Sequence, residues 1–298
     1  MPLSCMVHVR HIGQVSRAYA TLEGAGVHLH RAFGYGEVPL FDPFLMLDDF
    51  RAGDNPDDYL SGFPWHPHRG IETVTYMLEG KVEHGDSIGN SGVVGAGDIQ
   101  WMTAGSGIIH QEMPKPVHGR MGGFQLWVNL PKSHKMMKPR YQEVQANRVP
   151  IAIPATGVSA KVISGELDGV RGPVEDIITA PSYFDISMEE GAEFAFPVRK
   201  GDTVAAYIIG GTGTFGGITG EPVKNRDMLL FTDGDVMNAA SLNGPFRFLF
   251  IAGKPVGEPV AWGGPIVMNT QEEVRQAILE YRTGTFIKEK KAVKPAGD

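Results

Sequence analysis

The sequence predicts an all-β protein of two tandem barrels followed by a short C-terminal helix. Three observations carry that expectation. The chain is punctuated by 39 glycines and 21 prolines over 298 residues, which suits many short strands joined by turns rather than a helical bundle. Its second half echoes its first at a nearly constant offset. One segment near the C-terminus has helical periodicity.

In the first half, CMVHVRHI, GVHLHRAF, ETVTYMLEG, GDIQWMTAG, SGIIHQEM and GGFQLWVNL each read as a strand of ordinary length. Short antiparallel strands with glycine turns build a sandwich or a small barrel. Residues 131–150, PKSHKMMKPRYQEVQANRVP, show neither period and read as a connection, giving a first domain at 1–140 and a second at 141–298. YMLEGKVEHGD from Tyr76 resembles YIIGGTGTFGG from Tyr207, and DIQWMTAGS from Asp98 resembles DMLLFTDGD from Asp227. The offsets, 131 and 129 residues, indicate an internal duplication. In NTQEEVRQAILEYRTG, Thr270 and Glu273 form a capping box, and Val274, Ala277, Ile278 and Tyr281 follow helical spacing up to a stop at Gly284. That helix is expected to pack on a sheet.

A formal charge of −7 disfavours nucleic acid as a direct partner, because phosphate contacts need clustered Lys and Arg. The basic tail, Lys288, Lys290, Lys291 and Lys294, reads as a solvated end. Cys5 is the one cysteine, which excludes an intramolecular disulfide and fits a reducing compartment. Neither a signal-type apolar segment nor a membrane-length apolar run is present, so the expectation is a cytoplasmic protein without a membrane partner.

The chemistry-bearing stretch is FPWHPHRGIETVTYMLEG, residues 63–80. Strand alternation puts His66 and His68 on one face and Pro67 on the other. Proline suits the start or edge of a strand and holds the residue before it extended. In GIIHQEMP the same parity puts His110 and Glu112 on one face of a second strand. If the two faces meet inside a barrel, three imidazoles and a carboxylate converge. Imidazole serves Fe, Zn, Cu and Ni, and an added carboxylate favours octahedral Fe(II) or Mn(II) over a closed structural zinc. Such a site keeps open positions, and residual positive charge that stabilises an enolate or phenolate oxygen.

The duplication supplies a control. All ten histidines lie at or before His134. Carried across by the offsets, His66 and His68 correspond to Pro197 and Arg199, and His110 and Glu112 to Ala239 and Ser241. The second copy keeps none of the ligands, so the four residues read as site rather than scaffold. Glu72 competes for the carboxylate role, but it lies roughly 13 Å beyond His68 along a straight strand and needs a bend at Arg69-Gly70. It reads as an outer contact or ion-pair partner. His28 and His30 read as a surface strand, and His84, His118 and His134 as solvated turn or linker residues. Asp48 and Asp49 either orient a ligand imidazole or open a loop. Phe63, Trp65, Trp101 and Met113 either wall an aromatic pocket or pack a core, with packing the default. No dinucleotide fingerprint, P-loop or nucleophile elbow is present, and Cys5 has no partner for nucleophilic work.

The block H-x-H-x3-E at His66 to Glu72, with GDIQWMTAGSGIIHQEMP at residues 97–114, resembles the two signature blocks of the pirins, in the cupin superfamily. PFLMLDDF before them and FQLWVNLP after them, residues 43–50 and 124–131, match as well. Thr103 stands where the wider cupin pattern has proline, and the asparagine that follows there is missing; both departures are pirin-like. The resemblance implies a bicupin of two double-stranded β-helix barrels. It also implies one metal, usually iron, held in the first barrel by His66, His68, His110 and Glu112. The second barrel would be degenerate and metal-free.

The activity so implied is a metal-dependent dioxygenase acting on a small aromatic substrate, a flavonol such as quercetin. Fe(II) is the expected cofactor, with Mn, Ni, Cu or Zn as alternatives, and Glu112 is the catalytic base for the 3-hydroxyl proton. The alternative is a non-enzymatic iron-bound redox sensor or co-regulator whose surface is read by a protein partner. A sugar-modifying or isomerase cupin is disfavoured by the second block.

Overall fold

The computed structural model describes residues 7–51, 55–115, 120–216 and 221–289. Cys5, His118, Lys290, Lys291 and Lys294 lie outside the described residues. Strands dominate as expected, and the α-helix is Gln271–Arg282. Two compact units form, each from separate stretches of chain. One gathers Met1–Tyr19, Arg31–Phe44 and Asn147–Val256, and the other Ala20–His30, Leu45–Ala146 and Gly257–Asp298.

In the first unit a large antiparallel sheet runs Ile12–Arg17, Asp227–Phe231, Thr203–Phe215, Val236–Gly253, Ser182–Met188, Val158–Ser164 and Ile151–Ala155. Where a strand is expected over residues 5–12, the described residues 7–11 carry only an isolated bridge at Val9, and the strand begins at Ile12. Ahead of it, Arg10 is turned inward. Its guanidinium donates to the carbonyls of Gly234, Asp202, Thr232 and Arg199 and to the Asp233 carboxylate. The core is phenylalanine-rich, with Phe184, Phe194, Phe196, Phe215, Phe248 and Phe250 in edge and stacked contacts. Ala239 pairs with Phe194, as His110 pairs with His66 in the other unit. The inward counterparts of the histidine pair are therefore Phe194 and Phe196, whereas Pro197 and Arg199 are exposed.

The second unit faces two sheets against each other. One runs Arg140–Val144, Ile99–Thr103, Ile71–Glu79, Gly122–Asn129, Phe44–Asp49, Val27–Phe33 and Tyr19–Glu23; the other runs Phe63–His68, Ile108–Lys115, Lys81–Asp86 and Ser91–Gly95. Arg140–Val144 lies inside the stretch read as a connection. Its first four residues are all half-buried, so the alternation that signals a strand is absent, yet it pairs in unbroken register with Ile99–Thr103.

The C-terminal segment completes this unit. Thr270 Oγ1 accepts from the Glu273 N–H and Glu273 Oε2 from the Thr270 N–H, the expected capping box. Val274 and Ala277 are buried against Ala261, Ile266, Met268 and Phe286, with Ile109 packed alongside. Ile109 pairs with Pro67, and Pro67 is buried although it lies on the face opposite the imidazoles. Gly70 has φ +78°, and a Cβ there would meet the Val267 carbonyl at 2.0 Å, so only glycine fits this approach. Arg69 donates to the Ser106 and Phe286 carbonyls and to Glu280. Lys135 Nζ, 1% exposed, donates to the carbonyls of Gly70 and Val267 and to Asn129 Oδ1. Among the described residues no helix is long and apolar enough to cross a membrane.

Burial lowers the Lys135 ammonium from 10.5 to about 8, with Glu258 and Glu273 acting against the fall. Between those values the folded chain holds a neutral amine while the unfolded chain keeps its proton. Lys135 therefore adds stability as pH rises through that window, and its burial costs most below it. The span corresponds to about 3 kcal/mol at 1.36 kcal/mol per pH unit. The unfolding free energy of the wild-type chain minus that of Lys135→Met should accordingly climb between pH ~7.5 and pH ~10 in urea titrations. A flat difference contradicts this.

Candidate metal centre

His66 and His68 extend from the strand Phe63–His68 and His110 from Ile108–Lys115. The two strands pair antiparallel, with His110 opposite His66 and Ile108 opposite His68. Register and alternation together bring three imidazoles to one spot. Their ligating nitrogens lie within 4.8 Å of one another, and the ring of His110 is centred 4.3 Å from that of His66 and 5.1 Å from that of His68. Among the described residues this is the one group of three or more such side chains so gathered.

The hydrogen bonds behind the rings decide their chemistry. His66 Nδ1 donates to the Pro64 carbonyl at 2.9 Å, and His68 Nδ1 to the Pro265 carbonyl at 3.1 Å. A carbonyl has no proton to give, so each contact selects the Nδ1–H tautomer and leaves Nε2 with a bare lone pair. The two Nε2 atoms are 3.1 Å apart. His110 is 0% exposed and, among the described residues, neither of its ring nitrogens has a hydrogen-bond partner. Each such unpaired buried group costs about 1–3 kcal/mol. One divalent cation resolves both the lone-pair conflict and the orphaned imidazole. Burial, reinforced by the neighbouring imidazoles, pushes His68 and His110 well below the ordinary histidine range. Both stay neutral, the form that binds a metal.

Glu112 shares the inward face of His110, and the strand's burial alternates accordingly. Pairing with Phe63–His68 slips by one residue between His110 and Glu112, a bulge of the kind that re-aims side chains beside sites. Glu112 Oε1 accepts from Thr75 Oγ1 at 3.0 Å and, at a long 3.5 Å, from Gln100 Nε2, both on the facing sheet. It stands outside the three-histidine group, and its described hydrogen bonds all fall on Oε1. Glu72 is on the facing sheet and accepts from Thr103 Oγ1 at 2.7 Å, while burial raises its carboxyl pKa.

His84 departs from the expected solvated turn. It is 1% exposed in the strand Lys81–Asp86, directly opposite Glu112. Its ring stacks on Tyr141 at 4.8 Å and lies 5.5 Å from that of His110, with Nε2 3.4 Å from Asp86 Oδ2. The segment KVEHGD does alternate, but only pairing with Ile108–Lys115 reveals that its histidine points inward. Asp49 is committed to Arg51 at 2.8 and 2.5 Å, so the groups orienting His66 and His68 are proline carbonyls rather than the Asp48–Asp49 pair. His28 is exposed near Asp58, as expected of a surface strand. Trp101 is core, whereas Trp65 is 53% exposed. Aromatic rings flank the histidines: Phe63 is tilted against His66 at 6.4 Å, Trp127 is edge-on to His68 at 5.0 Å, and Trp262 stacks upon Trp127 at 5.6 Å.

The pirin family model matches residues 26–128, and the model of the pirin C-terminal cupin domain matches residues 183–287. The chain belongs to the pirin family. A pirin-like protein of Caulobacter vibrioides is 44% identical over 93% of this chain and 99% of its own length. A Pseudomonas aeruginosa protein provisionally named a quercetin 2,3-dioxygenase is 43% identical over 94% of this chain and 99% of its own. The crystal structure of a quercetin 2,3-dioxygenase from Acinetobacter baumannii superimposes with a TM-score of 0.85 at 28% identity, covering 94% of this chain and 99% of that one. The expected pair of cupin barrels with a C-terminal helix is thereby met in this pirin.

Metal titration of the dialysed protein should show one tight site per chain. His110→Ala should weaken it by about 100-fold or more, beyond what loss of an outer contact costs, while His28→Ala leaves it unchanged. Equal affinity of the His110 variant and the wild type contradicts the assignment.

Proposed function

We propose that this pirin is a metal-dependent dioxygenase acting on flavonol-like substrates such as quercetin, with Fe(II) held by His66, His68, His110 and Glu112. The observation that carries the reading is the pair of bare Nε2 atoms 3.1 Å apart beside a partnerless, buried His110. The names borne by the Pseudomonas aeruginosa and Acinetobacter baumannii relatives support it. Three imidazoles and one carboxylate suit Fe(II) better than a closed structural zinc. When bound, the ion supplies charge stabilisation for a developing enolate oxygen and the one-electron chemistry that dioxygen requires.

The residues of the chain supply the rest. Burial keeps His68 and His110 neutral and water out of their surroundings. Trp127 and Trp262, stacked beside His68, offer a flat apolar face to an aromatic ring. Glu112 takes the substrate 3-hydroxyl proton at Oε2 while Thr75 holds Oε1 in place. Both atoms of dioxygen enter the product, one ring carbon leaves as carbon monoxide, and the proton held by Glu112 returns to the new carboxylate.

Iron-loaded protein should consume oxygen and release carbon monoxide with quercetin. Glu112→Gln should lower kcat by about 10²–10⁴-fold, the range for loss of a general base, and His110→Ala should lose both metal and turnover. A fully iron-occupied chain that consumes no oxygen with quercetin overturns the reading.

A further inference from the structure

The carbonyl that orients His68 comes from 197 residues away in sequence. Pro265 sits in the tight connection between Ala261–Gly263 and Ile266–Met268, and two interactions place that hairpin beside His68. Ile266 bridges to Arg69, with the Val267 N–H donating to the Arg69 carbonyl at 3.1 Å. The Lys135 ammonium donates at 3.0 Å to Gly70 on one side and at 3.0 Å to Val267 on the other. Gly70 is two residues past His68, and Val267 is two residues past Pro265. A single buried cation thus ties together the turn that follows the imidazole's strand and the hairpin that carries its acceptor.

The chemistry of Lys135 fits a clamp better than an ion pair. Its three N–H groups meet three acceptors, two carbonyls and Asn129 Oδ1 at 2.7 Å, and none is a carboxylate. A fully buried ammonium is costly to keep, and an apolar side chain of equal length would fill the same space. What an apolar side chain cannot do is hold two carbonyls that converge from different segments. We propose that Lys135 is a positioning residue for the metal centre, fixing the Pro265 carbonyl against His68 Nδ1 and so selecting Nε2 as the nitrogen that His68 presents. Its bearing on metal affinity rests on the metal-centre reading above, whereas its effect on the His68 tautomer does not.

His66 is an internal control, because its acceptor, Pro64, lies on its own strand and owes nothing to Lys135. Long-range ¹⁵N–¹H spectra of the metal-free protein near neutral pH read the tautomer of each imidazole. In the wild type, His66 and His68 should both be Nδ1–H. In Lys135→Met, His68 should become a tautomer mixture while His66 is unchanged, and Zn(II) affinity should fall by about 10–100-fold, the range for an outer support of a ligand. A His68 that remains Nδ1–H in the variant, or a His66 that changes equally, overturns the proposal. If Lys135→Met does not fold, Asn129→Ala removes one of the three acceptors; it should give the same selective change at His68 in smaller measure, and no change there also overturns it. A wild-type chain that binds no Zn(II) would count against the metal centre, with the His68 tautomer still deciding the role of Lys135.

Discussion

The second unit is organised around two imidazoles whose Nε2 atoms stand 3.1 Å apart. Left alone, such a pair would rotate apart or share a proton. Here each ring is tied from behind by a proline carbonyl, and burial disfavours the charged form of His68. The antiparallel pairing of Phe63–His68 with Ile108–Lys115 then delivers a third imidazole that finds no hydrogen-bond partner among the described residues. The C-terminal hairpin supplies one of the two carbonyls, and the helix behind it keeps that hairpin packed. Packing is thus committed to an arrangement of imidazoles that suits a bound cation.

The two units show how one architecture is put to different ends. At matching strand positions, one unit places His66 and His110 and the other places Phe194 and Ala239. Each fully buried phenylalanine contributes about 1.5–3 kcal/mol of burial energy, so the aromatic centre of that unit is held by apolar packing. The histidine unit gives up part of that term at its centre. It compensates with polar contacts that reach across its two sheets, such as Thr75 to Glu112. The difference between the units lies in that substitution and not in the strand pairing.

Much of the site was legible because its rules are local. Strand alternation is a two-residue property, so His66 with His68 and His110 with Glu112 could be paired from spacing alone. The duplication sets the candidate ligands apart from the scaffold, although the register moves the second-copy counterparts from Pro197 and Arg199 to Phe194 and Phe196. What stayed hidden was non-local. His84 turns inward only through its pairing opposite Glu112, and Pro265 reaches His68 only because the C-terminal hairpin lies in the same unit. Arg140–Val144 is not legible in the sequence because half-burial on both faces removes the periodicity that marks a strand. Lys135 carried no signal, since a lysine in a polar stretch looks solvated until the fold buries it.

The most direct test of the account is an anomalous-difference map from crystals of the iron-loaded protein, collected at the iron edge. The account predicts a single strong peak per chain bonded to Nε2 of both His66 and His68 and to His110, with Glu112 Oε2 close by. A peak centred instead on His84 and Asp86, or no peak within reach of the three imidazoles in a chain shown to contain iron, would contradict it.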